Sequence, residues 1–178
     1  KQFVSNIDVD GQLIMYGDGT PVEGVREPLV SDMVTYGESN SNDVVISNIE
    51  IHGFATYWNI SVEGEIYKCS IPFPGKQYAY NATAALLVAK RMGHNLQKAA
   101  SLLQNFQGAG RRFERHKKSG IEVVSDYAHH PTEVKITVDA AIATGQKVKV
   151  IFEPHQYRRS AELKDLFRGL FKGVDLIQ

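Results

Sequence analysis

The chain has 178 residues, 43% of them hydrophobic in type, and its 20 basic side chains balance 20 acidic ones. That length suits one ordinary domain or two small ones, and the apolar share suits a globular core. Zero net charge, with no long Lys or Arg run, argues against a nucleic-acid partner. The one cysteine, Cys69, excludes an internal disulfide framework and reads as a small buried apolar residue.

No stretch is apolar enough for a membrane helix, and the opening KQFVSNIDVDG has no apolar signal region. The expectation is a cytoplasmic protein with no membrane partner. The chain opens in strand-like sequence and stops at GVDLIQ, which resembles the start of a buried strand, as expected for a piece of a longer protein.

The first seventy-odd residues read as β-rich. Gln12 to Gly17 and Asp43 to Gly53 are strand-like, and Thr56 to Val62 is separated from Glu65 to Ile71 only by Glu63-Gly64, a link suited to an antiparallel hairpin. Trp58, Ile60 and Val62 share one face by period-two spacing and read as core. After PFPG the period becomes helical: Asn81, Ala84, Ala85, Val88, Ala89 and Met92 trace a stripe that stops at Gly93. Asn95 then suits the cap of a second helix carrying Leu96, Ala99, Ala100, Leu103 and Phe106, ended by Gly108. The segment GAGRRFERHKKSG is glycine-edged, basic and aperiodic, and a domain boundary is expected near Gly110.

Beyond it the pattern alternates. Ile121 to Ser125 reads as a strand, Val134, Val138, Ala141 and Ile142 as a helix face ended by Gly145, and Lys147 to Phe152 as a second strand. Ser160 suits the cap of a helix carrying Leu163, Leu166, Phe167, Leu170 and Phe171, and VDLI begins a third strand. Such alternation implies parallel pairing with right-handed crossovers.

In open α/β sheets, ligands collect outside the carboxyl ends of strands, where helix N-termini offer unpaired N–H groups. SDYAHHPTE lies in such a place, with Pro131 suited to be the first helical residue. The loop EPHQYRRS follows the next strand. If the two strands are neighbours, Asp126, Tyr127, His129, His130, His155, Arg158 and Arg159 share a rim. Two arginines at a helix start oppose the macrodipole unless an anion faces them, which favours a functional reading. Structural readings stand beside it: Asp126 as a brace of the turn, Tyr127 as a half-buried aromatic, Arg158 and Arg159 as a solvated helix start. Adjacent histidines point different ways in extended chain, and no Cys or second carboxylate has ligand spacing, so no metal ligands are assigned. PGKQ lacks the upstream glycine and the Ser or Thr of a phosphate loop.

GAGRRFE, SDYAHHPTE and FEPHQYRRS, in that order, resemble signatures of the Mur ligases, and VTYGESNSNDVVISNI and FPGKQYAYNATAALLVAKRMG resemble upstream segments of the same family. The likeness is closest to the branch joining L-alanine to UDP-N-acetylmuramate in peptidoglycan synthesis. It implies an α/β fold in which residues 1–109 end a central ATP-binding domain and residues 110–178 begin an amino-acid-binding domain with a parallel, dinucleotide-type sheet. The phosphate loop, the Mg²⁺-binding acid and the UDP-sugar domain are expected upstream. It also implies ATP and Mg²⁺ as cofactors and amide formation through an acyl phosphate. By motif matching, Asn81 would contact adenine, Arg112 the nucleotide near its phosphates, and Asp126 the ribose. Tyr127, His129, His130, His155 and Arg159 would line the amino-acid and acyl-phosphate side. The chain departs from the family pattern at Gln77, Tyr78, Ser125, Gln156 and Arg158, and Arg158 is a candidate to replace the arginine missing at Gln156. Alternatives are a sister ligase for another amino acid or peptide, a hydrolase with a metal on His129, His130 and His155, and a silent binding domain.

Overall fold

The computed structural model describes residues 6–8, 11–19, 32–154 and 157–177. Two compact units divide the chain: residues 1–50, 56–72 and 76–105 form the first, and residues 51–55, 73–75 and 106–178 the second.

The first unit is built on a five-stranded sheet in simple sequence order: β1 Gln12–Tyr16, β2 Asp32–Gly37, β3 Val44–His52, β4 Ala55–Val62 and β5 Glu65–Ile71. β1 and β2 are parallel from Gln12↔Asp32 to Tyr16↔Tyr36, β2 and β3 are parallel at Tyr36↔Val44, and β4 and β5 are antiparallel from Thr56↔Ile71 to Val62↔Glu65. The expected hairpin is present. Its link places Glu63 at φ 54° and Gly64 at φ 84°, the doubly left-handed backbone whose twist matches paired strands. β2 was not expected from the sequence. Thr35 and Tyr36 are both buried, so the strand lacks the alternation that marks a half-exposed one.

Residue 37 must be glycine for a steric reason. A Cβ there would lie 2.5 Å from the Asp18 carboxylate, which accepts from Glu38 N at 2.5 Å, Ser39 N at 3.1 Å and Asn42 Nδ2 at 2.8 Å. Asp18 thereby ties the loop after β1 to the loop after β2.

Helix α1, Lys76–Arg91, packs Ala79, Ala82, Thr83, Leu86 and Leu87 inward, where Trp58, Ile60, Cys69 and Ile71 supply the sheet side of the core. The expected stripe is the wrong one: Asn81 and Ala85 are exposed, as are Val88 and Met92. Apolar residues occur on every side of this helix, so the face is set by the sheet. Helix α2, Leu96–Leu102, starts as expected, Asn95 Oδ1 accepting from Lys98 N at 2.9 Å. It tightens into a 3₁₀ turn at Leu103–Asn105, short of Phe106.

The second unit opens with an antiparallel hairpin, β6 Glu114–Lys118 with β7 Ile121–Ser125. The basic segment is therefore a strand in its second half, and β7 takes β6 as its ladder partner. Helix α3, Pro131–Ala143, follows with Pro131 as its first residue and buries Val134, Val138 and Ala140, whereas Ile142 is exposed. β8, Lys149–Ile151, pairs in parallel with β9, Asp175–Ile177, as the alternating pattern implied. Between them, α4 spans Tyr157–Glu162, so Ser160 lies inside the helix instead of capping it. The apolar stripe beyond it continues as a 3₁₀ turn, Lys164–Phe167, and Phe152 receives Phe167 and Phe171 at ring distances of 5.4 and 5.6 Å.

Candidate functional site: two hydrogen-bonded turns in the second unit

The glycine-edged turn before β6 and the loop between β7 and α3 are joined backbone to backbone. Gly108, at φ 87°, could not carry a side chain, because a Cβ would come 2.6 Å from the Phe73 ring. Arg111 and Phe113 have φ of 59° and 47°, a left-handed conformation that costs about 1–2 kcal/mol for a residue with a Cβ. Hydrogen bonds offset that cost. Arg111 N donates to Glu114 Oε2 at 2.9 Å, Tyr127 N donates to Arg111 O at 2.9 Å, and Phe113 N donates to Asp126 Oδ2 at 2.9 Å. The Phe113 ring is buried to 1% exposure and anchors the turn. Arg112 is thus held between two pinned neighbours.

Asp126 does brace the turn, as its structural reading had it: Oδ1 also accepts from Ala128 N at 2.8 Å. Each oxygen then holds one backbone N–H and has capacity for a second donor. That remaining acceptor capacity suits a further hydroxyl donor as well as a purely structural role.

Tyr127 and His129 follow on the same loop, their rings 5.0 Å apart and tilted by 60°. His129 Nδ1 faces Tyr127 O at 2.9 Å and Glu133 Oε2 at 3.6 Å. Both oxygens only accept, so Nδ1 carries a proton. His130 is the N-cap of α3, and its Nδ1 accepts from Thr132 N at 3.3 Å, so the proton of its neutral ring is on Nε2.

Glu133 completes a capping box, its Oε2 accepting from His129 N at 3.2 Å and His130 N at 3.4 Å. Burial works against its charge, but those N–H groups, the neighbouring His129 and the Arg112 guanidinium outweigh it and hold the carboxyl below the usual range. Sequence reasoning missed Glu133. The signal was present: with Pro131 as first helical residue, the third is Glu133, where a capping box places its acid.

Arg112, Asp126, Tyr127, His129 and His130 therefore gather in one unit, while Asn81 stands on the exposed side of α1 in the other. His155 and the side chain of Arg159 lie outside the described residues. Arg158 pairs with Glu162 Oε1 at 3.1 Å one helical turn on and is 92% exposed. Arg158 therefore needs no outside anion at the helix start, contrary to expectation, since its anionic partner is on its own helix. Among the described residues, no three His, Cys, Asp or Glu side chains come together as a metal ligand set.

The family description "Mur ligase middle domain" matches residues 1–89, and the chain belongs to the Mur ligase family. It is 36% identical over 171 residues to the UDP-N-acetylmuramate–L-alanine ligase of Syntrophomonas wolfei, with 90% of this chain and 36% of that protein covered. It is 31% identical over 184 residues to the enzyme of the same name from Halorhodospira halophila, with 99% of this chain and 38% of that protein covered. The chain thus spans well under half the length of these curated relatives. In fold it is similar to MurF ligase from Thermotoga maritima in complex with ADP, at a TM-score of 0.79 and 15% identity over 98% of this chain and 41% of that one.

Proposed function

We propose that the chain is the part of a UDP-N-acetylmuramate–L-alanine ligase that runs from the end of the ATP-binding domain, residues 1–109, into the start of the amino-acid-binding domain, residues 110–178. The observation that carries the reading is the hydrogen-bonded pair of turns holding Arg112 beside Asp126, with Tyr127, His129 and His130 on the same loop. The named relatives at 31% and 36% identity support the substrates, UDP-N-acetylmuramate and L-alanine.

Mur ligases use ATP and Mg²⁺. ATP would supply the phosphoryl group that activates the sugar's carboxylate as an acyl phosphate for attack by the L-alanine amine. On this chain, Arg112 would face the phosphates, where a guanidinium offsets charge on phosphoryl oxygens, Asp126 would hold the ribose, and Asn81 the adenine. Tyr127, His129, His130, His155 and Arg159 would line the amino-acid side. Mg²⁺ finds no ligand set among the described residues.

The test is ADP release by the full-length protein, which should require UDP-N-acetylmuramate and L-alanine together. Dependence on another amino acid or on a peptide would transfer the protein to a sister ligase. The 178-residue chain by itself is expected to release no ADP. In the full-length enzyme, Arg159→Ala should lower kcat/KM at least tenfold, about 1.4 kcal/mol.

A further inference from the structure

We infer that Glu133 is a positioning residue, which fixes the loop carrying the adjacent His129 and His130 and favours a proton on His129 Nδ1, so that the two rings take opposite tautomers. The two rings are neighbours in sequence, yet their Nδ1 atoms have opposite roles: that of His129 faces a carbonyl and a carboxylate, and that of His130 receives a backbone N–H. Glu133 acts on both. Its Oε2 accepts the backbone N–H of each histidine, which fixes the loop, and it lies 3.6 Å from His129 Nδ1, which favours a proton there. The titratable and charged groups facing Glu133 are the His129 imidazole and the Arg112 guanidinium, and both favour its ionised form. Without an anion at that place, the pull on a proton at His129 Nδ1 is weaker, although the Tyr127 carbonyl still faces it at 2.9 Å.

The consequence is a division of labour between two identical side chains. With protons on His129 Nδ1 and His130 Nε2, the outer nitrogen of the first ring is a proton acceptor and that of the second is a donor. On the ligase reading, on which this part of the inference rests, the amine that attacks an acyl phosphate must lose a proton, and the carbonyl oxygen that gathers charge calls for a donor. In that step the C–N bond forms, the C–O bond to phosphate breaks with its electron pair leaving on phosphate, and the amine proton passes to His129 Nε2. A carboxylate three residues downstream would then set which histidine takes which part.

The test is spectroscopic. Two-bond ¹H–¹⁵N correlations of the imidazole nitrogens in the neutral rings should show His129 as the Nδ1–H form and His130 as the Nε2–H form. Glu133→Gln retains an oxygen for the backbone N–H groups but removes the charge, and should shift His129 towards Nε2–H while His130 is unchanged. Glu133→Asp, with the charge retained, should restore part of the Nδ1–H signal. The same tautomer for both histidines in the parent protein, or an unchanged His129 in Glu133→Gln, overturns the inference whether or not the variants fold well. In the full-length enzyme Glu133→Gln should lower kcat about tenfold and leave KM for ATP near the parent value. An unchanged kcat would overturn the positioning role. An inactive parent protein would count against the ligase reading instead, and the tautomer measurement would still decide the part played by Glu133.

Discussion

Trp58 Nε1 donates to Thr83 Oγ1 at 3.1 Å in the core of the first unit, and Thr83 Oγ1 in turn donates to Ala79 O at 2.7 Å. One hydroxyl thereby joins the β4–β5 hairpin to α1, and it explains why α1 turns its Thr83 side inward. Thr83→Val preserves the shape but leaves the indole N–H buried and unpaired, which costs about 1–3 kcal/mol. Urea unfolding should show the loss as a lower midpoint. An unchanged midpoint would mean that this bond does not set the helix face.

Asp126 holds two backbone N–H groups, those of Phe113 and Ala128. Asp126→Ala strands both, and the cost expected for unsatisfied partners is about 1–3 kcal/mol. Native-state hydrogen exchange should show faster exchange at Phe113 and Ala128 while the amides of β4 and β5 keep their protection.

Asp18 gives the first unit a dependence on acid. Burial raises its pKa, but the N–H groups of Glu38 and Ser39, the Asn42 amide and the Tyr16 hydroxyl outweigh it and hold the carboxyl below its ordinary value. A lowered carboxylate stabilises the fold above its unfolded pKa, about 3.9, and the benefit fades as pH falls through the folded value. Asp18→Asn should therefore be less stable than the parent at pH 7, with the gap closing on acidification below about pH 4. Thermal midpoints of both proteins between pH 7 and pH 3 check it, and a gap independent of pH would contradict it.

Cys69 is buried to 5% exposure, and burial pushes its thiol up to about 12. The thiolate is the reactive form, so a thiol reagent at pH 8 should label the folded protein only as fast as the chain opens. A rapid stoichiometric reaction without denaturant would refute this.

The sequence disclosed those parts of the fold whose signal is local. The β4–β5 hairpin combines period-two alternation with a two-residue Glu-Gly link, and α2 and α3 carry their own start signals in Asn95 and Pro131. β2 and β6 were illegible for opposite reasons. β2 is too buried to alternate, and β6, reading ERHKK, is a strand through its pairing with β7 and not through its composition. The stripe on α1 failed because alanine and leucine surround the helix and the sheet residues, Trp58 among them, select its side. At the candidate site the motif residues were found, but Glu133 was not. Its role depends on the fold of a loop that brings it against residues three and four positions back.

The left-handed pair Arg111 and Phe113 has a consequence for the exchange of this region. A turn that is unfavourable alone and takes two of its hydrogen bonds from a loop on the far side of a hairpin is not a separate module. The two signatures, although separated by a strand pair, form one structural part. A chimera taking GAGRRFE from one relative and SDYAHHPTE from another will assemble only where the donor loop supplies an acid at position 126 and a backbone N–H at position 127. Transplanting both together should carry the shape intact.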